Sequence, residues 1–189
     1  MSDGGTVRVL GISGSLRRGS FNTATLRAAQ ELLPDGMAME TAGIGDLPLY
    51  NDDVREQGYP PVVEALRRRV RQADGVLLVT PEYNYSIPGV LKNAIDWISR
   101  PPDQPFDGKP VAIMGASPGA LGSARAQYQL RQCFVFLNGY VLNRPEVMIT
   151  AAHTKFDDTG RLTDQATRDF IAAALIAFKA WIIRMRPAS

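Results

Sequence analysis

The sequence holds one cysteine, Cys133, and one histidine, His153. A single thiol excludes an internal disulfide and a thiolate metal cluster, and a single imidazole excludes a His-rich metal site. Cys133 falls in the apolar stretch 133–137, which predicts a buried and inert thiol. Long apolar runs are missing too. The run 170–178 ends at Lys179 and is half of what a bilayer crossing needs, so no membrane insertion is expected. Residues 1–6 have neither the basic start nor the apolar core of a signal peptide, so a flexible tail and a cytoplasmic location are expected. Charge of one sign is also lacking. Against 21 basic residues stand 19 acidic ones, a net +2 that gives no reason to expect a nucleic-acid partner. Lysine is scarce, 4 against 17 arginines. Arginine suits phosphates and carboxylates, although a GC-rich coding bias gives the same skew.

What is present is 189 residues, 45% hydrophobic and 21% charged, which predicts one domain over 1–189 with a sizeable core. Strand-like and helix-like segments alternate. Strands are expected at 7–12, 37–42, 75–80 and 110–116, with a fifth in 140–149 broken by Asn143-Arg144-Pro145. Helices are expected at 21–33, after Pro60-Pro61, and at 88–99, 122–137 and 163–185. The helix after Pro61 is read with Val62, Leu66, Val70 and Ala73 as its apolar stripe. Its run Arg67-Arg-Arg-Val-Arg71 is read as a solvated face. Segment 43–59 is read as a long connection. The alternation predicts an α/β three-layer sandwich with a five-stranded parallel sheet, and the length favours the flavodoxin-like order 2-1-3-4-5.

In such sheets ligands bind at the carboxyl ends of the strands, which directs attention to three loops. The first, 11–23, carries Ser13, Ser15, Ser20, Asn22 and Thr23 ahead of a helix, with Arg17 and Arg18 alongside. Hydroxyls, free N–H groups and a positive helix end suit a phosphate that is held rather than cleaved. No Gly-x-x-x-x-Gly-Lys-Ser/Thr or Gly-x-Gly-x-x-Gly run occurs there. Ser20 or Asn22 acting as a plain helix cap explains one of the five residues only. The second loop, 81–89, sets Tyr83, Asn84 and Tyr85 between prolines. A rigid loop with free N–H groups suits the polar edge of a planar heterocycle, and tyrosine suits its face.

The third loop, 115–122, permits close backbone approach. It also matches Gly-x-Ser-x-Gly at Ser117, with Glu146 and His153 following in hydrolase order. The oxyanion hole, however, needs the N–H of the residue after the nucleophile, and that residue is Pro118. Losing one such donor costs roughly 3 kcal/mol of transition-state stabilisation. The hydrolase reading fails on that point, and His153 is left as a surface residue.

Together the loops resemble the NADPH-dependent FMN reductase family, and its bacterial quinone and chromate reductase branch in particular. The similarity rests on Gly14-Ser-Leu-Arg-Arg-Gly-Ser-Phe-Asn22, on Pro81-Glu-Tyr-Asn84 with Ser86, Pro88, Gly89, Lys92, Asn93 and Trp97, and on Ser117-Pro-Gly119. Leu121-Gly122 stands where a second glycine pair is common. The resemblance implies non-covalent FMN, NADPH or NADH as co-substrate, and ping-pong hydride transfer on to quinones, with chromate, ferric, azo or free flavin acceptors as side activities. It places Ser13, Ser15, Arg17, Ser20, Phe21, Asn22 and Thr23 at the phosphate. It places Pro81, Glu82, Tyr83 and Asn84, with Ser117 and Gly119, at the ring. No catalytic acid, base or nucleophile is implied, because the flavin carries the chemistry. An electron carrier of flavodoxin type, without NAD(P)H turnover, is the alternative; such carriers are strongly acidic, unlike this chain.

The resemblance also implies a homodimer or homotetramer. Arg125 and Tyr128 share a helix face, and with Tyr85 and Glu146 they are candidates for a polar cluster between subunits. Arg100, after the helix from Pro88, is a candidate for the phosphates of NAD(P)H or an anionic acceptor, or equally for a helix C-cap.

Overall fold

The structure is a computed structural model and describes residues 5–186. The tail expected over 1–6 lies outside the described residues except for Gly5 and Thr6, both exposed. The elements run β1 Val7–Ser13, α1 Phe21–Glu31, β2 Met37–Ala42, α2 Asp52–Glu56, α3 Pro61–Gln72, β3 Gly75–Val79, α4 Gly89–Ile98, β4 Pro110–Ala116, α5 Ala124–Phe136, β5 Tyr140–Val141, β6 Val147–Ile149 and α6 Gln165–Met185. The sheet order is β2-β1-β3-β4-β5, all parallel, with β6 also on β4. Two short strands thus fill the fifth position. Val111 pairs with Val141 and Met114 with Val147, so the last strand carries extra residues that bow out of the ladder. Pro145, which has no N–H to donate, lies in that bow.

Strand side chains alternate between faces, and each face has a core. Val7, Val9, Leu77, Val79 and Met114 pack with α1 and α6. Leu10, Ile12, Val76, Leu78 and Ile113 pack with α3, α4 and α5. β3 and β4 are buried from end to end, as befits central parallel strands.

Three expectations are corrected. Val63, not Val62, faces the core from α3, because Pro61 opens the helix and shifts the buried stripe to Val63, Leu66 and Val70. That stripe also takes in Arg67, which is 1% exposed and no solvated residue. Its guanidinium donates to the carbonyls of Trp97, Ile98, Arg100 and Pro102 and lies 4.2 Å from the Tyr59 ring centroid. Burial pulls its pKa down, while Tyr59 and Glu64 act in the opposite direction. The third correction concerns Cys133, which is half-buried rather than buried, because Val135 and Phe136 beside it point outward. The connection 43–59 contains α2, and Tyr50 and Tyr59 on either side of it stack edge-on against Trp97. Among the described residues no helix is long and apolar enough to cross a membrane.

Candidate active site

The parallel order brings the loops after β1, β3 and β4 to one edge of the sheet, on either side of the point where the order reverses. Gly14 N–H donates to the carbonyl of Val79, so the first two loops leave the sheet side by side.

In the first loop Ser20 is the N-cap of α1. Its Oγ accepts from the N–H groups of Asn22 at 3.2 Å and Thr23 at 3.3 Å. The cap uses the hydroxyl as acceptor and leaves its hydrogen free to donate. Ser13 Oγ and Thr23 Oγ1 are 2.9 Å apart, and Ser15 Oγ accepts from Arg17 N–H. Among the described residues the N–H groups of Leu16, Arg18 and Gly19 have no protein acceptor. With the start of α1 they form a cradle for an anion. The Arg17 guanidinium lies 5.7 Å from the Phe21 ring centroid, and Phe21 packs on Phe156. Asn22 is buried, and its amide is engaged within the protein: Nδ2 donates to Ala116 O at 3.0 Å and Oδ1 accepts from Ala116 N–H at 2.9 Å. It therefore joins the first loop to the end of β4.

In the second loop Tyr83 and Ser86 exchange backbone hydrogen bonds across a tight turn, with Asn84 and Tyr85 in the left-handed region at φ 50 and 66. The N–H groups of Asn84 and Tyr85 have no acceptor among the described residues. Pro81 is buried, while the rings of Tyr83 and Tyr85 are exposed. Tyr83 OH reaches Ser15 Oγ at 3.5 Å. The Glu82 carboxylate is engaged with the start of α5. Its Oε2 accepts from the N–H groups of Arg125 and Ala126 at 3.0 and 3.3 Å, and its Oε1 lies 2.6 Å from Arg125 Nε. Ser123, the N-cap of α5, gives no side-chain cap, so Glu82 supplies it from another loop. Arg125 in turn stacks on Tyr85 at 3.5 Å. Gln129, which sequence reasoning missed, donates to Tyr85 O and accepts from Ser86 Oγ. Its position four residues after Arg125, on the same helix face, was the available signal.

The third loop is fixed to β6. Ser117 N–H donates to Ile149 O, Ala152 N–H donates to Ser117 O, and Gly119 N–H donates to Ser117 Oγ at 3.1 Å. Gly122 sits at φ 53, where a Cβ would lie 2.6 Å from the Met148 carbonyl carbon. Leu121-Gly122 therefore keeps the one glycine that the turn requires.

The remaining candidates lie apart. Tyr128 OH donates to Glu146 Oε2 at 3.2 Å, and Arg131 approaches Glu146 at 3.8 Å. The four expected cluster residues thus form two separate groups within one chain, Tyr85 with Arg125 and Tyr128 with Glu146. Arg100 is not brought to the loops. It closes the far end of α4, donating from Nε to Asp96 O at 3.1 Å, about 15 Å along the helix from Pro88. No hydrogen bond among the described residues joins Ser117, Glu146 and His153, and His153 is exposed.

A doubly wound parallel sheet with an anion cradle at its switch point, and a rigid loop of free amides and tyrosines beside it, defines a flavin-nucleotide-binding domain of the flavodoxin-like class. Residues 7–154 match the family described as NADPH-dependent FMN reductase, and the chain belongs to that family. It is 57% identical to an NAD(P)H-dependent FMN reductase of Pseudomonas aeruginosa, covering 98% of this chain and 100% of that one. It is 50% identical to a quinone reductase of Escherichia coli, covering 95% and 97%. Among solved structures it is similar to FerB, an NAD(P)H:(acceptor) oxidoreductase from Paracoccus denitrificans, with TM-score 0.86, 37% identity, and 95% and 98% coverage. The residues fit FMN. The unpartnered amides of Leu16, Arg18 and Gly19 match its phosphate, and those of Asn84 and Tyr85 match the polar edge of its ring.

Proposed function

We propose that this protein is an FMN-dependent NAD(P)H:acceptor oxidoreductase that reduces quinones by a ping-pong cycle, with side activity on chromate, ferric, azo or free flavin acceptors. When bound, FMN supplies the centre that accepts hydride and returns electrons. The chain's residues bind and orient. Ser13, Ser15, Arg17, Ser20 and Thr23, with the free amides beside them, hold the phosphate. Pro81, Tyr83, Asn84, Ser117 and Gly119 bound the ring. Glu82 and Asn22 act as positioning residues, one clamping the second loop to α5 and the other tying the first loop to β4.

The observation that carries this reading is the convergence of three interlocked loops, with amides left over for a ligand, at one edge of the sheet. The identities to named NAD(P)H-dependent FMN reductases and quinone reductases support an enzyme rather than an electron carrier. So does the near-neutral net charge of +2. Homodimers or tetramers in the cytoplasm belong to the same reading, with the exposed Tyr85 and Tyr128 beside a subunit boundary. FMN-loaded protein should oxidise NADPH slowly in air and many times faster with benzoquinone. A chain that binds FMN but leaves NADPH unoxidised under both conditions contradicts the proposal.

A further inference from the structure

Helix α6 runs about 30 Å across the face of the sheet opposite to α5. Its inner side, with Ile171, Ala174, Leu175, Phe178 and Ile182, is buried in the core. Its outer side is apolar as well. Phe170, Ile176 and Ile183 are 43%, 59% and 50% exposed, and Ala173 and Ala180 between them are exposed too. From Phe170 to Ile183 the one charged residue is Lys179, whose ammonium donates to the carbonyl of Asp35. A helix on the surface of a monomer turns charged and polar residues to water, and along most of its outer side α6 has none to turn. A contiguous exposed apolar strip of this kind marks a contact surface.

The strip is symmetric about its own middle. Two copies of α6 laid antiparallel, with a two-fold axis between Ile176 and Ala177, bring Phe170 level with Ile183, Ala173 level with Ala180, and Ile176 beside Ala177. The small Ala173, Ala177 and Ala180 let the helices approach closely, and the Ile176 of each copy packs beside the axis. The charges fit the same register. Asp169 closes one end of the strip and Arg184 the other, and the antiparallel pair sets each Asp169 level with an Arg184. Among the described residues neither is in an ion pair within the chain. A parallel pair would set like charge against like. One acid and one base are also not the basic rim of a membrane-surface helix.

We propose that the outer side of α6 is a self-association surface, which joins two copies of this chain through antiparallel α6 helices. It lies across the sheet from Tyr85 and Tyr128, so it is separate from a subunit boundary beside the second loop. It also stands apart from the oxidoreductase reading. The strip, about 30 Å by 10 Å, is smaller than the ~800 Å² that each partner buries in a stable complex. The association is therefore reversible and concentration-dependent.

The test is disulfide trapping in the full chain, with Cys133→Ser as background so that the introduced thiol stands alone. Ala177→Cys, next to the axis, should link to its own copy under mild oxidation. Ala173→Cys and Ala180→Cys each lie about 10 Å along the helix from their own symmetry mates, so neither should link by itself, but a mixture of the two should. In sedimentation over a dilution series, wild type should gain one association step that Ile176→Glu lacks. Mixing Ile176→Glu with Ile176→Lys should restore the step. Unchanged circular dichroism shows an intact fold in each variant. No link at Ala177→Cys, or a link at Ala173→Cys alone that forms as fast, overturns the proposal. So does equal sedimentation of wild type and Ile176→Glu at every concentration. Wild type that stays unassociated through this face, yet binds phosphatidylglycerol vesicles when Ile176→Glu does not, overturns it in favour of a lipid surface.

Discussion

At the scale of single residues, Glu82 does more than its place in a flavin loop suggests. Its carboxylate caps α5 and pairs with Arg125, which holds the exposed ring of Tyr85. Glu82→Ala should cost about 1–2 kcal/mol in chemical denaturation, the value of a lost cap with its charge-assisted bonds. It should also weaken FMN binding, because Pro81, Tyr83 and Asn84 lose their anchor. An unchanged denaturation midpoint would remove Glu82 from that role. Cys133 makes a second case. Burial pushes its thiol pKa up, with Lys92 acting the other way. The thiol therefore stays protonated to higher pH than a free one, and the protonated form does not react. Iodoacetamide should modify it more slowly than a model peptide thiol at mildly alkaline pH, as read by mass spectrometry. Modification at the peptide's rate would contradict the burial argument.

Among the elements, α3 and α4 are joined through the buried guanidinium of Arg67 and the carbonyls that end α4. Arg67→Ala leaves those carbonyls without a donor and opens a cavity, and should cost about 3–5 kcal/mol. Arg67→Lys should recover part of this, since one ammonium cannot cover acceptors spread over a planar fork. Thermal or urea unfolding reads both, and a loss within about 0.5 kcal/mol for Arg67→Ala would contradict the cage. Around α2, Arg55 and then the Tyr50 hydroxyl hold the Asp52 carboxyl down to about 2. A carboxyl depressed by folding stabilises the fold above its unfolded pKa and loses that contribution as pH falls toward the folded value. Stability should therefore drop between about pH 4 and 2, and Asp52→Asn should flatten that part of the curve. The two cases differ in how far they could be read beforehand. Strands such as Pro110–Ala116 and the N-cap at Ser20 follow from local pattern and cap chemistry. Arg67 lies in a run of four arginines, and nothing local tells which one faces the core. That depends on where Pro61 starts the helix and on carbonyls about thirty residues away.

For the whole molecule, the gathering of the three loops at one edge of the sheet was legible because parallel topology fixes where strands end. The links between the loops were not legible. Asn22 to Ala116, Ser15 to Tyr83 and Glu82 to α5 are long-range pairings of common residue types, visible only once the sheet order sets the neighbours. They explain how a site built on loops is held for a ligand before it arrives. The N–H groups of Leu16, Arg18 and Gly19 stay without an acceptor among the described residues. The most direct measurement titrates FMN-depleted protein with FMN and with riboflavin under the same conditions. Two or more charge-assisted bonds to the phosphate should make FMN bind at least about a hundredfold more tightly. Equal affinities for the two flavins would contradict the assignment of the first loop and, with it, the account of the site.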